Sequence, residues 1–297
     1  MSNVPAPGEH GGRAHLYGVD LELSASLNPV APDPTAIFER HLKSVSRYPD
    51  AGRATDAMAE VLEVEPELLV LTNGGAEAIA LVAAESPIGQ VVEPEFALYQ
   101  RHLQVGPQAP LWMSDPNNPT GRLAAPTETA AVRDEAFYPL ATGDWTRGDP
   151  DTTVVGSLTK IFSCPGVRMG YIIAKDAELA AWYRKAQPRW SLSGLACDAI
   201  PDLLATAQLK RWRDEIAQMR AAMSAALSNR GWHAQPGAAN YLWLPNAPGL
   251  RSTLFAAGIL VRSGASFGFP DGVRIAVPKP GQMDHFIAAI PERVTNG

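Results

Sequence analysis

Short apolar segments alternate with helical or loop segments from about Leu68 to Ala174, and this alternation limits the chain to a small set of folds. The pattern is typical of a mostly parallel sheet whose strands are joined by crossover helices. Ligands of such sheets bind just beyond the carboxyl ends of the strands. The predicted strands are residues 68–72, 90–92, 109–113, 130–132, 152–155 and 167–174.

The second half of the chain predicts one long helix followed by a small α+β domain. Strands are expected at residues 241–244, 259–262 and 273–277, and Gly231 is expected to end the helix. One apolar face of that helix is predicted to pack in the core, because its residues recur at steps of four, three, four and four: Trp212, Ile216, Met219, Met223 and Leu227.

Three regions follow from this pattern. We expect residues 1–30 to be an N-terminal segment that packs on the small domain. Residues 31–205 are expected to form the large domain, and residues 206–297 the small C-terminal domain. The chain of 297 residues is long enough for this division.

Composition and charge argue against several classes of protein. The formal net charge is −6 and there is no basic block, so nucleic acid and anionic membranes are not expected partners. No apolar run is long enough to span a bilayer, and the N-terminus lacks the pattern of a secretory signal. Cys164 and Cys197 are too few for a disulfide framework, so a cytoplasmic protein is expected. The six histidines show no metal-ligand spacing, so no metal site is expected.

Lys160 lies between two segments that are typical of buried strands, and Arg168 opens the second of them. A lone lysine is usually a solvated surface charge. At this place, however, an unpaired ammonium group would be costly to bury, and burial lowers the pKa of a lysine. A lysine with a lowered pKa suits Schiff-base chemistry. The run alone allows either a covalent lysine or a loop lysine with a surface salt bridge.

Two segments carry groups that bind phosphate. Residues 71–80 pass from a strand through Gly74 and Gly75 into a helix, where backbone N–H groups and the helix dipole converge. Ser157, Thr159 and Arg168 add two hydroxyl groups and a guanidinium group, which are expected around a phosphate monoester. Taken alone, the glycines could equally serve only a tight turn.

Asn118 and Asp134 each follow a predicted strand. Asn118 belongs to the turn Asp115-Pro-Asn-Asn-Pro-Thr-Gly121, and its amide either faces the strand-end crevice or caps its own turn. Asp134, in Asp134-Glu-Ala-Phe-Tyr138, could cap a helix or remain solvated. It could also hold a positive charge on a ring nitrogen by hydrogen-bonding its proton.

Together these motifs resemble those of the class I/II aminotransferases, which are fold-type I pyridoxal-phosphate enzymes. The resemblance covers most of the chain. Within the family, the motifs resemble most the branch of histidinol-phosphate aminotransferase and threonine-phosphate decarboxylase. It implies a large cofactor-binding α/β domain with a mostly parallel central sheet, a small α+β domain, and pyridoxal 5'-phosphate as cofactor. The segments that carry it are Pro116-Asn-Asn-Pro-Thr-Gly121, Asp134-Glu-Ala-Phe137, Ser157-Leu-Thr-Lys160 with Arg168, and, on the decarboxylase side, His10-Gly-Gly12, Leu23-Ser-Ala-Ser-Leu-Asn-Pro29 and Ser46-Arg-Tyr-Pro-Asp50.

The resemblance implies a role for each cofactor-binding position. Lys160 would form the Schiff base and move protons, and Asp134 would pair with the pyridine nitrogen. Asn118 would bond the 3-oxygen of the ring, on which Phe96 would stack. Tyr48 would reach the phosphate from the partner subunit of a homodimer. The other residues expected at the phosphate are Gly75, Ala76, Glu77, Ser157, Thr159 and Arg168.

The resemblance also implies how a small-molecule substrate is held. Arg274 would receive its α-carboxylate, and Arg262 and Asn28 are further candidates for substrate binding. Two departures from the family pattern accompany these residues. Phe137 stands where many members have a tyrosine that shares the 3-oxygen, and 16 residues from Asn118 to Asp134 are too few for a complete crossover helix.

The leading hypothesis is therefore an aminotransferase that acts on an amino acid or an amino-phosphate. The alternative on the same scaffold is a decarboxylase of a phosphorylated amino acid such as threonine phosphate. The two reactions differ in which Cα bond is held perpendicular to the cofactor ring. A non-catalytic pyridoxal-phosphate sensor and an unrelated phosphate-binding α/β protein are the remaining hypotheses.

Overall fold

The computed structural model of the chain describes residues 5–6 and 11–293. His10, which opens one of the decarboxylase-like segments, lies outside the described residues. The strands are β1 Leu21–Leu23, β2 Leu69–Thr72, β3 Ile88–Val91, β4 Gln104–Val105, β5 Leu111–Ser114, β6 Val132–Asp134, β7 Thr153–Ser157, β8 Gly170–Ile173, β9 Tyr241–Leu244, β10 Ile259–Ser263 and β11 Val273–Ala276.

The α-helices frame two sheets. They are α1 Ala14–Tyr17, α2 Thr35–Arg40, α3 Gly52–Leu62, α4 Gly74–Glu85, α5 Tyr99–His102, α6 Tyr138–Thr142, α7 Leu158–Ile161, α8 Ala177–Ala186, α9 Gly194–Ala205, α10 Leu209–Ser228, α11 Leu250–Ala256 and α12 Met283–Ala289. Short 3₁₀ helices occur at Leu42–Ser46, Pro66–Leu68, Ala265–Phe267 and Pro280–Gln282.

The larger sheet has seven strands in the order β2-β8-β7-β6-β5-β3-β4. Only β8 runs antiparallel to its neighbours, β2 and β7, and the remaining pairs are parallel. All six strands expected between residues 68 and 174 are present, with ends that differ by a few residues. Sequence reasoning missed β4, because a strand of two exposed residues carries no alternation of apolar and polar side chains.

Both faces of this sheet are covered, as its apolar strands predict. Val70, Trp112 and Ile172 pack with α4, α5 and α8 on one face. Leu71 and Val154 pack on the other face with apolar residues of α3, α9 and α10. Neighbouring residues of one strand thus belong to opposite clusters, as the strand period of two requires.

The smaller sheet has the order β1-β10-β11-β9. Strand β1 pairs in parallel with β10, placing Leu21 opposite Ile259, whereas the other two pairs are antiparallel. The strand at 241–244 has the predicted ends, and β1 was not predicted because it has only three residues. The structure does not test the predicted limits of the domains, which remain predictions.

Helix α10 carries the predicted apolar face. Trp212, Ile216, Met223 and Leu227 are buried, and Met219 packs partly buried against the same core. The helix ends at Ser228, and Gly231 follows with φ of +80°.

The connection from β5 to β6 contains no helix, as the short spacing between Asn118 and Asp134 predicts. Arg133 and Asp115 lie fully buried there, with Arg133 Nη1 3.2 Å from Asp115 Oδ2. Arg133 Nη2 is also 2.7 Å from Asp149 Oδ2, and Arg147 contacts both aspartates at 3.2 and 2.9 Å. A closed ring of four charges thus holds this connection in place. Among the described residues, no helix is long and apolar enough to cross a membrane.

Candidate active site

A cavity of about 160 Å³ lies beyond the carboxyl ends of the parallel strands, between the two sheets. It brings together six of the predicted site residues: Phe96, Asn118, Asp134, Lys160, Arg262 and Arg274. Six further lining residues were not among the predicted site residues: Gly11, Ser24, Ala25, Ala136, Phe137 and Phe267. A larger cavity of about 680 Å³, near Tyr138 and Trp145, contains none of the predicted site residues. The smaller cavity is the candidate site because the chemically active side chains converge on it.

Lys160 enters this cavity from the short helix α7, which follows β7 directly. Its backbone carbonyl accepts the N–H of Asn28 at 3.0 Å. Burial, together with the positive charges of Arg274 and Arg168, lowers the pKa of Lys160 to about 8. Roughly a tenth of this amine is therefore neutral at pH 7, far more than of an exposed lysine, and the neutral form is the one that attacks a carbonyl.

Asp134 ends β6 and is buried. Its Oδ2 accepts the Tyr99 hydroxyl at 3.0 Å, and its Oδ1 accepts the backbone N–H of Ala136 at 3.0 Å. Burial raises the pKa of Asp134, although these two hydrogen bonds and the charge of Lys160 oppose the rise. The carboxyl group is thus held in one orientation at the cavity wall.

Asn118 and Arg274 contact each other across the cavity. Arg274 Nη1 donates to Asn118 Oδ1 at 2.6 Å, and its Nη2 donates to the carbonyl of Ser24 at 3.2 Å. The guanidinium group also lies 4.9 Å from the ring centre of Tyr241. Because the amide oxygen of Asn118 is used, its NH₂ group is the part that can donate to a ligand.

The glycine turn and the Lys160 run form one cradle. Gly74 has φ of +77°, and a Cβ atom on it would overlap the guanidinium group of Arg168. Ser157 Oγ and Thr159 Oγ1 lie 2.8 Å apart. The cradle therefore brings together a guanidinium group, two hydroxyl groups and the amino end of the 12-residue helix α4. This set of donors fits a phosphate monoester.

Within this cradle, Gly75, Ala76 and Glu77 form the first turn of α4. An ideal Cβ on Gly75 would lie 3.6 Å from Ser157 Cβ, so the two segments are in close contact. The carboxylate of Glu77 accepts the Asn73 N–H at 2.6 Å and the Gln187 Nε2 group at 3.0 Å. Its side chain therefore braces the turn, and only its backbone group is available to a phosphate.

Arg262 and Arg274 stand directly opposite each other on β10 and β11. Both are buried, and neither forms an ion pair with a described carboxylate. Burial lowers the pKa of both groups, to about 10 for Arg262, and Arg274 adds to the effect on Arg262. Arg262 Nη2 donates to Ser266 Oγ at 2.8 Å, and its buried Nη1 has no hydrogen-bond partner among the described residues. Two uncompensated guanidinium groups in one wall are suited to an anionic ligand.

Two predicted site residues lie outside both the cavity wall and the phosphate cradle. The Asn28 side chain is occupied by backbone groups, donating to the Ile161 carbonyl and accepting the Val30 N–H, each at 3.0 Å. Tyr48 is 75% exposed, with its ring 4.5 Å from that of Trp190. The single chain therefore does not bring Tyr48 to its own cavity.

Sequence reasoning missed residues that lie outside the cavity wall and hold the site residues in place. Tyr99 follows Phe96 by three residues, and its hydroxyl reaches Asp134. Tyr241 donates to the Asn117 carbonyl at 2.9 Å, and its ring lies edge-on to that of Phe137. A tyrosine in an otherwise apolar segment signals a buried hydroxyl group with a partner, but it does not identify that partner.

Comparison with known proteins identifies the family. A family model described as aminotransferase class I and II matches residues 98–290. An aromatic amino acid aminotransferase of Mycobacteroides abscessus is 30% identical over 93% of this chain and 93% of its own length. The chain therefore belongs to the class I and II aminotransferases, and its predicted enzyme class, small-molecule substrates and cofactor, pyridoxal 5'-phosphate, are confirmed.

Other relatives represent the branch that the motifs resemble. A histidinol-phosphate aminotransferase of Symbiobacterium thermophilum is 27% identical over 93% of this chain and 91% of its own length. A threonine-phosphate decarboxylase of Salmonella typhimurium is 27% identical, with 96% of each chain covered. The crystal structure of a histidinol-phosphate aminotransferase from Sinorhizobium meliloti in complex with pyridoxal-5'-phosphate superposes with a TM-score of 0.79 at 17% identity. It covers 94% of this chain and 92% of that chain, which confirms the predicted fold class.

Proposed function

We propose that Lys160 is the Schiff-base lysine of an aminotransferase whose substrate is an amino acid or amino-phosphate with a second anionic group. The observation that carries this proposal is the lowered pKa of Lys160 in a cavity that also contains Asp134 and Arg274. When bound, the cofactor supplies an aldehyde and an electron-withdrawing pyridinium ring. The chain must then hold that ring, orient the substrate and move one proton.

The residues present fit the cofactor. The cradle formed by the first turn of α4, Ser157, Thr159 and Arg168 offers donors for its phosphate. Asp134 offers a carboxylate for the protonated ring nitrogen, and the Asn118 NH₂ group offers a donor for the 3-oxygen. Phe96 lines the same cavity and offers a face for stacking. Lys160 would take the proton from Cα of the substrate and return it to the acceptor carbon.

The two arginines support the proposed substrate class. Arg274 is held by Asn118 and the Ser24 carbonyl, so it is fixed to receive the α-carboxylate. Arg262 stands beside it with an unused Nη1 group, which favours a substrate that carries a second carboxylate or a phosphate. An uncharged side chain would leave Arg262 buried without a counter-charge.

Decarboxylation of a phosphorylated amino acid is the second candidate. The similarity to threonine-phosphate decarboxylase over 96% of each chain favours it, and Arg262 would then hold the phosphate. Incubation of the holoenzyme with amino acids, dicarboxylic amino acids and amino-phosphates separates the two reactions. Pyridoxamine phosphate with release of the oxo acid supports transamination, whereas carbon dioxide with release of the amine supports decarboxylation.

The proposal also includes a homodimer in which Tyr48 of one subunit reaches the cofactor phosphate of the other. Its support is the exposure of Tyr48 and Trp190, two stacked aromatic rings that a partner surface would cover. Analytical ultracentrifugation of the holoenzyme, with Tyr48→Ala compared for cofactor affinity, tests it. The cytoplasmic location remains a prediction.

A further inference from the structure

Glu95 is a buried carboxyl group that the proposed chemistry does not use. It follows Glu93 and Pro94, only 3% of its surface is exposed, and it forms no ion pair with any described residue. A carboxyl group in such a place is costly unless donors surround it. Its contacts therefore show what the group does.

Four groups donate to this one carboxylate. Its Oε1 accepts the backbone N–H of Ser114 at 3.0 Å, the Ser114 hydroxyl at 2.7 Å and Asn117 Nδ2 at 2.6 Å. Its Oε2 accepts the backbone N–H of Phe96 at 3.0 Å. All four groups are donors, so they favour the ionised form of Glu95, although burial raises its pKa to about 7.

These donors belong to two segments that line the candidate active site. Phe96 is the residue proposed to stack on the cofactor ring. Ser114 Oγ, which donates to Glu95, in turn accepts the backbone N–H of Asn118 at 2.7 Å. Glu95 therefore joins the segment of Phe96 to the segment of Asn118, which are separated by about twenty residues in the chain.

The charge of Glu95 also acts on the carboxylate that would face the ring nitrogen. Burial raises the pKa of Tyr99, whose hydroxyl donates to Asp134, and the charges of Asp134 and Glu95 add to that rise. The charge of Asp134 likewise adds to the effect of burial on the pKa of Glu95. The charge of Glu95 also acts on Arg122, an exposed cation of the Asn117 turn. A negative charge on Glu95 would add its own attraction for a protonated ring to that of Asp134.

We propose that Glu95 is a positioning residue of the aminotransferase reaction, which fixes the ring-stacking segment of Phe96 against the Asn118 turn and adds negative charge behind Asp134. This inference rests on the proposed function. It adds a residue that touches neither substrate nor cofactor and acts through Phe96, Ser114 and Asn118.

The test compares Glu95→Gln with wild-type holoenzyme. The amide keeps the size of the side chain, removes the charge, and presents an NH₂ donor to groups that are themselves donors. We expect kcat to fall about 10- to 100-fold while KM changes less than about 3-fold, because both arginines are untouched. The visible absorption spectrum of the bound cofactor should shift, and the dissociation constant of the cofactor should rise about 10-fold.

Glu93→Gln is the matched control, because Glu93 is exposed and water can replace a contact that the amide loses. Its two carboxylate oxygens accept from the Glu95 N–H and from Gln100 Nε2, and an amide oxygen can keep one of these contacts. It should retain wild-type kinetics and spectrum. Wild-type kcat and spectrum in Glu95→Gln would overturn the inference, as would a lower melting temperature with unchanged kcat per folded molecule. If Glu95→Gln does not fold, Ser114→Ala carries the test, since it removes the link to Asn118 and keeps the charge. Wild-type turnover and spectrum in that variant would equally overturn the inference.

Failure of the proposed function has a different signature. In that case the wild-type protein would itself show no lysine–cofactor absorption and no amino-group transfer. If only the inference fails, the wild-type protein is active and Glu95→Gln matches it.

Discussion

The hydroxyl group of Tyr99 donates a 3.0 Å hydrogen bond to Oδ2 of Asp134, and both residues are buried. Tyr99 begins α5, whereas Asp134 ends β6, so the bond joins a helix on one face of the sheet to the edge of the cavity. It fixes the orientation of the carboxylate that would face the cofactor ring nitrogen.

Tyr99→Phe should therefore weaken catalysis without removing the cofactor. The hydrogen bond lowers the pKa of Asp134, so its loss should raise that pKa, and the carboxylate should become protonated at higher pH than in the wild type. We expect the acidic limb of the kcat–pH profile to move to higher pH and kcat to fall about 10-fold. Tyr183→Phe, which removes another buried phenol, is the control. An unshifted profile in Tyr99→Phe would show that the bond does not tune Asp134.

Lys160→Ala should abolish the visible absorption of the lysine–cofactor adduct, because no other lysine of residues 5–6 and 11–293 lines the cavity. Lys175→Ala removes an exposed lysine and should keep the absorption. Borohydride reduction followed by peptide mapping of the wild-type protein should place the cofactor on residue 160. An adduct on any other lysine would contradict the assignment.

Replacement of the two arginines should separate two parts of substrate recognition. Arg274→Gln should raise KM for every amino acid substrate, by about 100-fold, because each carries an α-carboxylate. Arg262→Met should raise KM only for substrates with a second anion. Steady-state kinetics distinguish the two substitutions if one amino donor carries only the α-carboxylate and the other carries a second anion. An equal effect of Arg262→Met on KM for both donors would refute the assignment of Arg262 to the second anion.

Arg262→Met should also stabilise the substrate-free protein. The wild-type side chain buries a cation opposite another cation, so an apolar side chain of similar length relieves both desolvation and repulsion. We expect the free energy of unfolding to rise by about 1 kcal/mol, measured by urea denaturation in an anion-poor buffer. A loss of stability would mean that the Ser266 hydrogen bond and the Phe267 ring, whose centre lies 5.7 Å from the guanidinium carbon, outweigh desolvation and repulsion.

Arg133→Ala tests the charge ring that holds the β5–β6 connection. The variant leaves Asp115 fully buried, and among the residues that the structure describes Arg147 is then its one ion-pair partner. The free energy of unfolding should therefore fall by about 3 kcal/mol. Arg122→Ala breaks an exposed pair with Glu128 and should change it by less than about 1 kcal/mol. Equal effects of the two substitutions in urea denaturation would contradict the structural role of the ring.

The sequence could predict the strands and nominate most residues of the candidate site because both are local features. Strand β9 and the site motifs each occupy a few consecutive residues, so their chemistry is visible without tertiary contacts. The supporting residues were not predictable in the same way. Tyr99 lies 35 residues from Asp134, and Glu95 lies 19 residues from Ser114, so only the folded sheet brings each pair together.

The register of the β10–β11 pair is another feature that the sequence did not predict. Arg262 and Arg274 were each predicted to bind substrate. That they stand opposite each other depends on how β10 pairs with β11. A shift of one residue would turn one of the two side chains to the other face of the sheet. Local patterns do not specify such pairing.

The opposition of Arg262 and Arg274 has a practical consequence for handling the protein. A wall with two uncompensated guanidinium groups will also attract sulfate, phosphate or citrate from a purification buffer. These salts should therefore act as competitive inhibitors, and a weak turnover measured in phosphate would understate the true rate.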